Sequence, residues 1–223
     1  YLEYILAGKA YSSLSLFGTY ADIKSLSSAE RVHPTDLWER KIFDWLEPTL
    51  VDAIQKYNFS DETRIELDRY LLAFMQTSSK DAATSLCQLC LGLSETQTQL
   101  KARTFWKLCA GFFEAIAKDK LEVDLNVKRI ASGIVVHYNS MSHGEWLFSD
   151  KFMLHLLFFC EQAIIDESDD AGTPLLSIIK QVWGLKNDES INYKINRYGH
   201  FDPAILAQAR KRIVVAKELW TAL

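Results

Sequence analysis

The stretch FWKLCAGFFEAI, residues 105–116, decides the fold class. Phe105, Leu108, Cys109, Phe112, Phe113 and Ile116 fall at i, i+3, i+4, i+7, i+8 and i+11, so one side of a helix is apolar. Lys107, Glu114 and Lys118 lie off that stripe. The pattern predicts a helix over about 97–118, packed by its apolar face.

The same periodicity continues on both sides. Upstream, a helix is expected over 79–92, with Ser79 as its cap and Gly92 near its end. Another is expected over 61–77. Ser60 caps it, and Asp61 and Glu62 sit in its first turn, where the helix dipole favours negative charge. Downstream, Val127, Ile130, Ala131, Ile134, Val135 and Tyr138 form a stripe on a helix over 125–140. Ser149 then opens a helix that runs to Ile165, through FMLHLLFFCEQAI at 152–164. Both sides of its middle are apolar, which predicts the central helix of a bundle. An acidic loop at 166–174 leads to a helix over 174–183 that closes at Gly184. The last helix opens at Asp202, has Pro203 at its first position, and runs to Ala222.

The first 47 residues are less regular. Tyr1–Leu6 reads as the end of a helix belonging to a longer chain. Pro34 and Asp36 suit a turn. A short helix is expected at 49–57. The expectation is an all-α, antiparallel bundle of about eight helices, joined by short connections. Residues 1–47 would form an extension and 48–223 the bundle domain. Nine glycines and four prolines are too few for a turn-rich β architecture.

Composition narrows the function. The 223 residues carry a net charge of −4 with both signs interspersed, so there is no basic footprint for nucleic acid or an anionic membrane. No apolar run approaches the ~20 residues of a membrane span. The four cysteines, Cys87, Cys90, Cys109 and Cys160, all sit in apolar helical segments. They read as reduced core thiols, and a cytoplasmic location is expected.

The candidate motifs are weak. CQLC at 87–90 has the spacing of half a zinc site, but there is no second pair, and on one helix both thiols can face the core. No two of the histidines, His33, His137, His143, His155 and His200, are spaced i, i+4. A phosphotransfer histidine needs an exposed ring with a cation and a small residue nearby. The residues three positions on are Asp36, Ser140, Trp146, Phe158 and Pro203, so none supplies the cation. His155 is the best placed on a helix, yet Leu156, Leu157, Phe158 and Phe159 surround it, and it reads as a packing residue. Gly133 interrupts a helical pattern, as a close helix crossing would require. Trp106, Trp146, Trp183 and Trp220 read as core. No catalytic residue, metal ligand or cofactor site is identified. The one candidate contact set is Arg210, Arg212 and Lys217, in the basic amphipathic stretch ARKRIVVAKELW at 209–220, which suits an acidic protein partner.

Five phrases occur in order: YLEYILAGKAYSSLSLF, ERVHPTDLW, FWKLCAGFFEAIAKDKLEVDLNVKRIASGIVVHY, LLFFCEQA and INYKINRYGHFDPAILAQARKRIVVAKELWTAL. Together they cover nearly the whole chain. This set resembles the N-terminal region of CheA-like hybrid histidine kinases of type IV pilus twitching motility (PilL type). That region is similar to the helical scaffold FimL. The resemblance implies degenerate phosphotransfer-like helical folds, with the kinase chemistry further along the parent polypeptide. It implies a non-catalytic scaffolding segment of a two-component chemosensory system. Its partners would be other proteins: pilus chemosensory or polar scaffold components, or the kinase's own modules. It brings no active-site residue to this chain. The alternative is an active phosphotransfer module that uses a non-standard histidine such as His155. A small-molecule sensor is a third reading.

Overall fold

A computed structural model describes residues 12–26, 32–49, 55–146, 148–165, 172–187, 193 and 211–212. Among the described residues there are seven α-helices and no strand: α1 (Phe17–Leu26), α2 (Asp61–Thr77), α3 (Lys80–Ser94), α4 (Leu100–Ala117), α5 (Leu125–Ser142), α6 (Asp150–Gln162) and α7 (Pro174–Trp183). The fold is all-α, as expected. The helix expected at 202–222 lies outside the described residues apart from Lys211 and Arg212, which are helical and exposed. The short helix expected at 49–57 is absent at 49 and 55–57, and 50–54 lie outside the described residues.

The chain divides into two compact units, Trp38–Ser190 and Tyr1–Leu37 with Ile191–Leu223. In the smaller unit, 3-10 turns at Ser13–Leu16 and Pro34–Leu37 flank α1. Pro34 and Asp36 do make a turn. The Asp36 carboxylate accepts from the His33 backbone N–H at 3.0 Å. The Phe17 ring meets Tyr193 edge-on at 5.8 Å.

The larger unit holds α2–α7, and several of their ends follow from single residues. Ser60, Ser79, Asp124 and Ser149 each accept a backbone N–H three residues on, at 3.2, 3.3, 2.8 and 3.3 Å. Each satisfies a donor that the first helical turn leaves orphaned. Gly184 ends α7 in the left-handed region at φ 58°, where a Cβ would be strained. Gly92 does not end α3, which runs on to Ser94. A Cβ on Gly92 would lie 2.3 Å from the Gln55 carbonyl oxygen, so the glycine lets residues 55–57 cross the helix. The Tyr57 N–H closes that crossing on the Gly92 carbonyl at 3.1 Å. Gly133 admits the Phe152 ring, 2.5 Å from where its Cβ would stand, which is the close crossing the sequence called for.

Helices α2 and α5 pack antiparallel. Tyr138 near the end of α5 holds Ser60, donating to its carbonyl at 3.0 Å and accepting its N–H at 3.3 Å. At the other end, Lys128 donates to the Met75 carbonyl at 2.8 Å. The central position belongs to α4 and not to α6. Thirteen of the eighteen α4 residues are buried, against six of thirteen in α6. Helix α4 packs on α3, α6 and α7 at once. Its burial extends beyond the expected stripe to Trp106, Ala110, Ala115 and even Lys107. Its Phe rings pack edge-on against neighbours on α2 and α6: Phe113 with Phe74 at 6.0 Å and Phe112 with Phe159 at 6.0 Å. Burying one such side chain contributes about 1.5–3 kcal/mol.

Candidate protein-interaction site

Residues 38–49, WERKIFDWLEPT, form neither helix nor strand, and they lie across α4, α6 and α7 as a strap. Over residues 42–47 the exposure alternates. Phe43 is buried and Trp45 and Glu47 are partly covered, while Ile42, Asp44 and Leu46 are exposed. Period two is the register of an extended chain with one side against a surface.

Each inward residue has a defined seat. The Phe43 ring stacks on Trp183 of α7 with centroids 5.8 Å apart. Trp45 meets Phe148 edge-on at 5.4 Å, donates from Nε1 to the Asp150 carboxylate at 3.2 Å, and carries the Lys101 ammonium over its ring at 5.0 Å. Glu47 takes both Arg103 donors, Nε and Nη2, at 2.9 Å each, and the Lys107 ammonium at 2.8 Å. Such a planar fork on a carboxylate is among the stronger protein hydrogen bonds. The Arg103 bonds, aided by Lys107, hold the Glu47 carboxyl below its ordinary value although partial burial opposes this. Further up the strap, Trp38 packs edge-on against Phe158 at 5.6 Å and donates to Glu161, and Arg40 donates to the Trp183 carbonyl at 2.8 Å.

The helices also read the strap's backbone. Trp183 Nε1 donates to the Asp44 carbonyl and Thr104 Oγ1 to the Leu46 carbonyl, both at 2.9 Å. Helix α7, which carries Trp183, is itself positioned from α4. Thr173, its cap residue, makes no side-chain cap bond, and the Glu114 carboxylate accepts the Leu176 N–H at 2.6 Å instead. Burial raises the Glu114 carboxyl above its ordinary value even though the Leu176 and Leu175 N–H groups pull it down. Glu161 is raised by burial in the same way.

The residues singled out in the sequence fall elsewhere. Arg212 is exposed, whereas Arg210 and Lys217 lie outside the described residues. Cys87, Cys90, Cys109 and Cys160 are all buried free thiols. Burial pushes Cys87 and Cys160 up to about 12, and Cys90 and Cys109 well above the ordinary value. A thiol held protonated in this way is a poor nucleophile. Among the described residues no group of three or more His, Cys, Asp or Glu side chains could hold a metal ion. His33 is buried, His137 and His155 are half-buried, His143 is exposed, and His200 lies outside the described residues. The His137 ring sits between Phe105 and Phe152, at 5.0 and 4.6 Å, as part of an aromatic cluster. Trp106 and Trp183 are core residues as expected, but Trp146 is 38% exposed and stands in a loop, and Trp220 lies outside the described residues.

No motif in the sequence marks the strap or its Arg103–Lys107 seat. The alternation in IFDWLE, 42–47, is the available signal.

Residues 57–194 match the family model described as the FimL scaffold protein second domain. The chain belongs to this family. The FimL second-domain match spans all of α2–α7, while the strap, α1 and the basic stretch at 209–220 lie outside it. No curated protein and no solved structure matches the chain. Among the described residues no helix is long and apolar enough to cross a membrane.

Proposed function

We propose that the chain is a non-catalytic scaffolding and protein-interaction segment of a chemosensory hybrid histidine kinase that controls type IV pilus twitching motility. The observation that carries this reading is the FimL scaffold match over 57–194. The ordered phrases from YLEYILAGKAYSSLSLF to INYKINRYGHFDPAILAQARKRIVVAKELWTAL support the kinase context. The protonated core thiols and the His137 ring packed between Phe105 and Phe152 favour a structural role for groups that could otherwise do chemistry. The segment works in the cytoplasm, where it docks pilus chemosensory or polar scaffold components, or the kinase's own phosphotransfer modules. Arg210, Arg212 and Lys217 form a basic contact set for an acidic partner.

The test has two arms. Full-length parent kinase, with and without residues 1–223, is used to pull down pilus chemosensory proteins from cell extract. Loss of at least one specific partner on deletion is expected, and charge reversal at Arg210, Arg212 and Lys217 should weaken it. Unchanged recovery in the deletion overturns the scaffold reading, and unchanged recovery in the charge-reversal variant alone removes that contact set. In the second arm the segment is incubated with active kinase core or phosphorylated receiver. No acid-labile phosphate is expected on it. Phosphate that disappears on His155→Gln would establish an active phosphotransfer module instead.

A further inference from the structure

The strap is a peptide already seated in a site. Phe43, Trp45 and Glu47 are read by the helices, and the carbonyls of Asp44 and Leu46 are read by Trp183 and Thr104. This combination of alternate side-chain seats and backbone donors is how proteins recognise extended segments of other chains. The walls of the site hold one another, because α4 packs on α6 and on α7, and α6 packs on α7. All three lie inside the family-matched residues, whereas the strap precedes them. No helical or sheet ladder binds the strap to its walls, so its attachment consists of discrete side-chain anchors.

The charged end of the groove selects the occupant. The Lys107 side chain is only 8% exposed, and it shares the Glu47 carboxylate with Arg103. An occupant that covers this ammonium as the strap does, without supplying an acid, would bury an unpaired cation, which is strongly unfavourable. Whatever replaces the strap must therefore bring an acid to this place, and a basic or purely apolar segment is rejected.

We propose that the groove between α4, α6 and α7 is a docking site for an extended segment of a protein partner, with an aromatic residue, a second aromatic two positions on and a carboxylate two positions further. Residues 38–49 fill it as a built-in competitor that such a segment displaces. The inference rests on the scaffold reading only in taking the occupant to be another protein.

The probe is the labelled nonapeptide KIFDWLEPT, residues 41–49, followed by fluorescence anisotropy against the full chain. A tethered strap competes at an effective concentration on the order of millimolar. Glu47→Lys in the chain loosens the strap and frees Arg103 and Lys107. Saturable binding to that variant is expected, at least tenfold tighter than to the unaltered chain. The same substitution in the peptide should weaken binding at least tenfold. Circular dichroism checks that the variant is folded, and Trp45→Ala serves if it is not. With the unaltered chain, millimolar peptide should shift the Trp183 indole resonance. No binding to a folded variant, equal binding with and without the peptide carboxylate, or no Trp183 shift overturns the proposal. A dimer of the unaltered chain that the peptide dissolves also overturns it, because the occupant would then be a second copy of the strap. None of these failures touches the pull-down result, on which the scaffold reading stands or falls separately.

Discussion

Helix α4 and the strap 38–49 meet at Thr104, Arg103 and Lys107, yet they bury themselves by opposite rules. The helix is covered nearly all round, by α3, α6 and α7 together. Its hold on the fold is spread over many apolar contacts, each small and all additive in sign. The strap is covered at every second residue over 42–47 and relies on a few directional anchors. Damage to α4 should therefore cost global stability, whereas damage to the strap should change local attachment and leave the bundle standing.

The largest effect is expected from Phe112→Ala. The residue is fully buried against Phe159 and Phe113, and its truncation should cost about 3–5 kcal/mol in denaturant unfolding. A midpoint equal to the parent's would show that α4 is not the core. Next comes Gly92→Ala, whose new methyl meets a carbonyl oxygen at 2.3 Å and the Tyr57 ring at 2.4 Å. A backbone atom cannot swing aside as a side-chain tip can, so a loss of about 1–3 kcal/mol is expected in the same melts. No loss would mean that residues 55–57 do not cross α3 in solution. Glu114→Ala should cost about 1–2 kcal/mol by leaving the start of α7 without its acceptor, and Glu114→Gln should cost less because the amide oxygen still accepts. Equal losses from the two variants would count against the cap.

The smallest effect separates the two regions by pH. The folded Glu47 carboxyl lies below its unfolded value, so its contribution to stability is present above the ordinary carboxylate range and is lost as the pH falls through the lowered value. Glu114 and Glu161 are raised, so the folded chain takes up their protons more readily than the unfolded one, and their contribution grows as the pH falls through their raised values. On acidification the strap should loosen while helical circular dichroism holds, and Trp fluorescence should report it. Glu47→Gln should abolish that early fluorescence step. A fluorescence change that coincides with helix loss in both proteins would contradict a separately attached strap.

Local physics made most of the helices legible in the sequence. The 3.6-residue stripe in 105–116 and the caps Ser60, Ser79 and Ser149 act over three or four residues, so they can be read from the chain alone. The central place of α4, the cap that Glu114 lends to α7 and the Gly92 crossing each join residues far apart in the chain, and no local pattern carries them. The strap is different, because IFDWLE does alternate. A single six-residue alternation without a partner strand does not say which surface will cover it, and Arg103 and Lys107 look like ordinary helical charges until Glu47 is seen between them. The apolar middle of 152–164 misled in the other direction. Five consecutive buried residues, Leu156–Cys160, show that α6 is well covered there, but its ends remain outside the core.

The four thiols turn the bundle into its own clock. Cys87 and Cys90 sit on α3, Cys109 on α4 and Cys160 on α6, all held protonated. Cys90, Cys109 and Cys160 have no solvent exposure, so a thiol-specific alkylating reagent can reach these three only when the helix that carries them opens, and Cys87, 9% exposed, serves as the accessible reference. The rate at which each of the three is capped thus times the separation of one helix from its neighbours. Mass spectrometry of the capped peptides would rank α3, α4 and α6 by how often they part, with no label engineered into the chain.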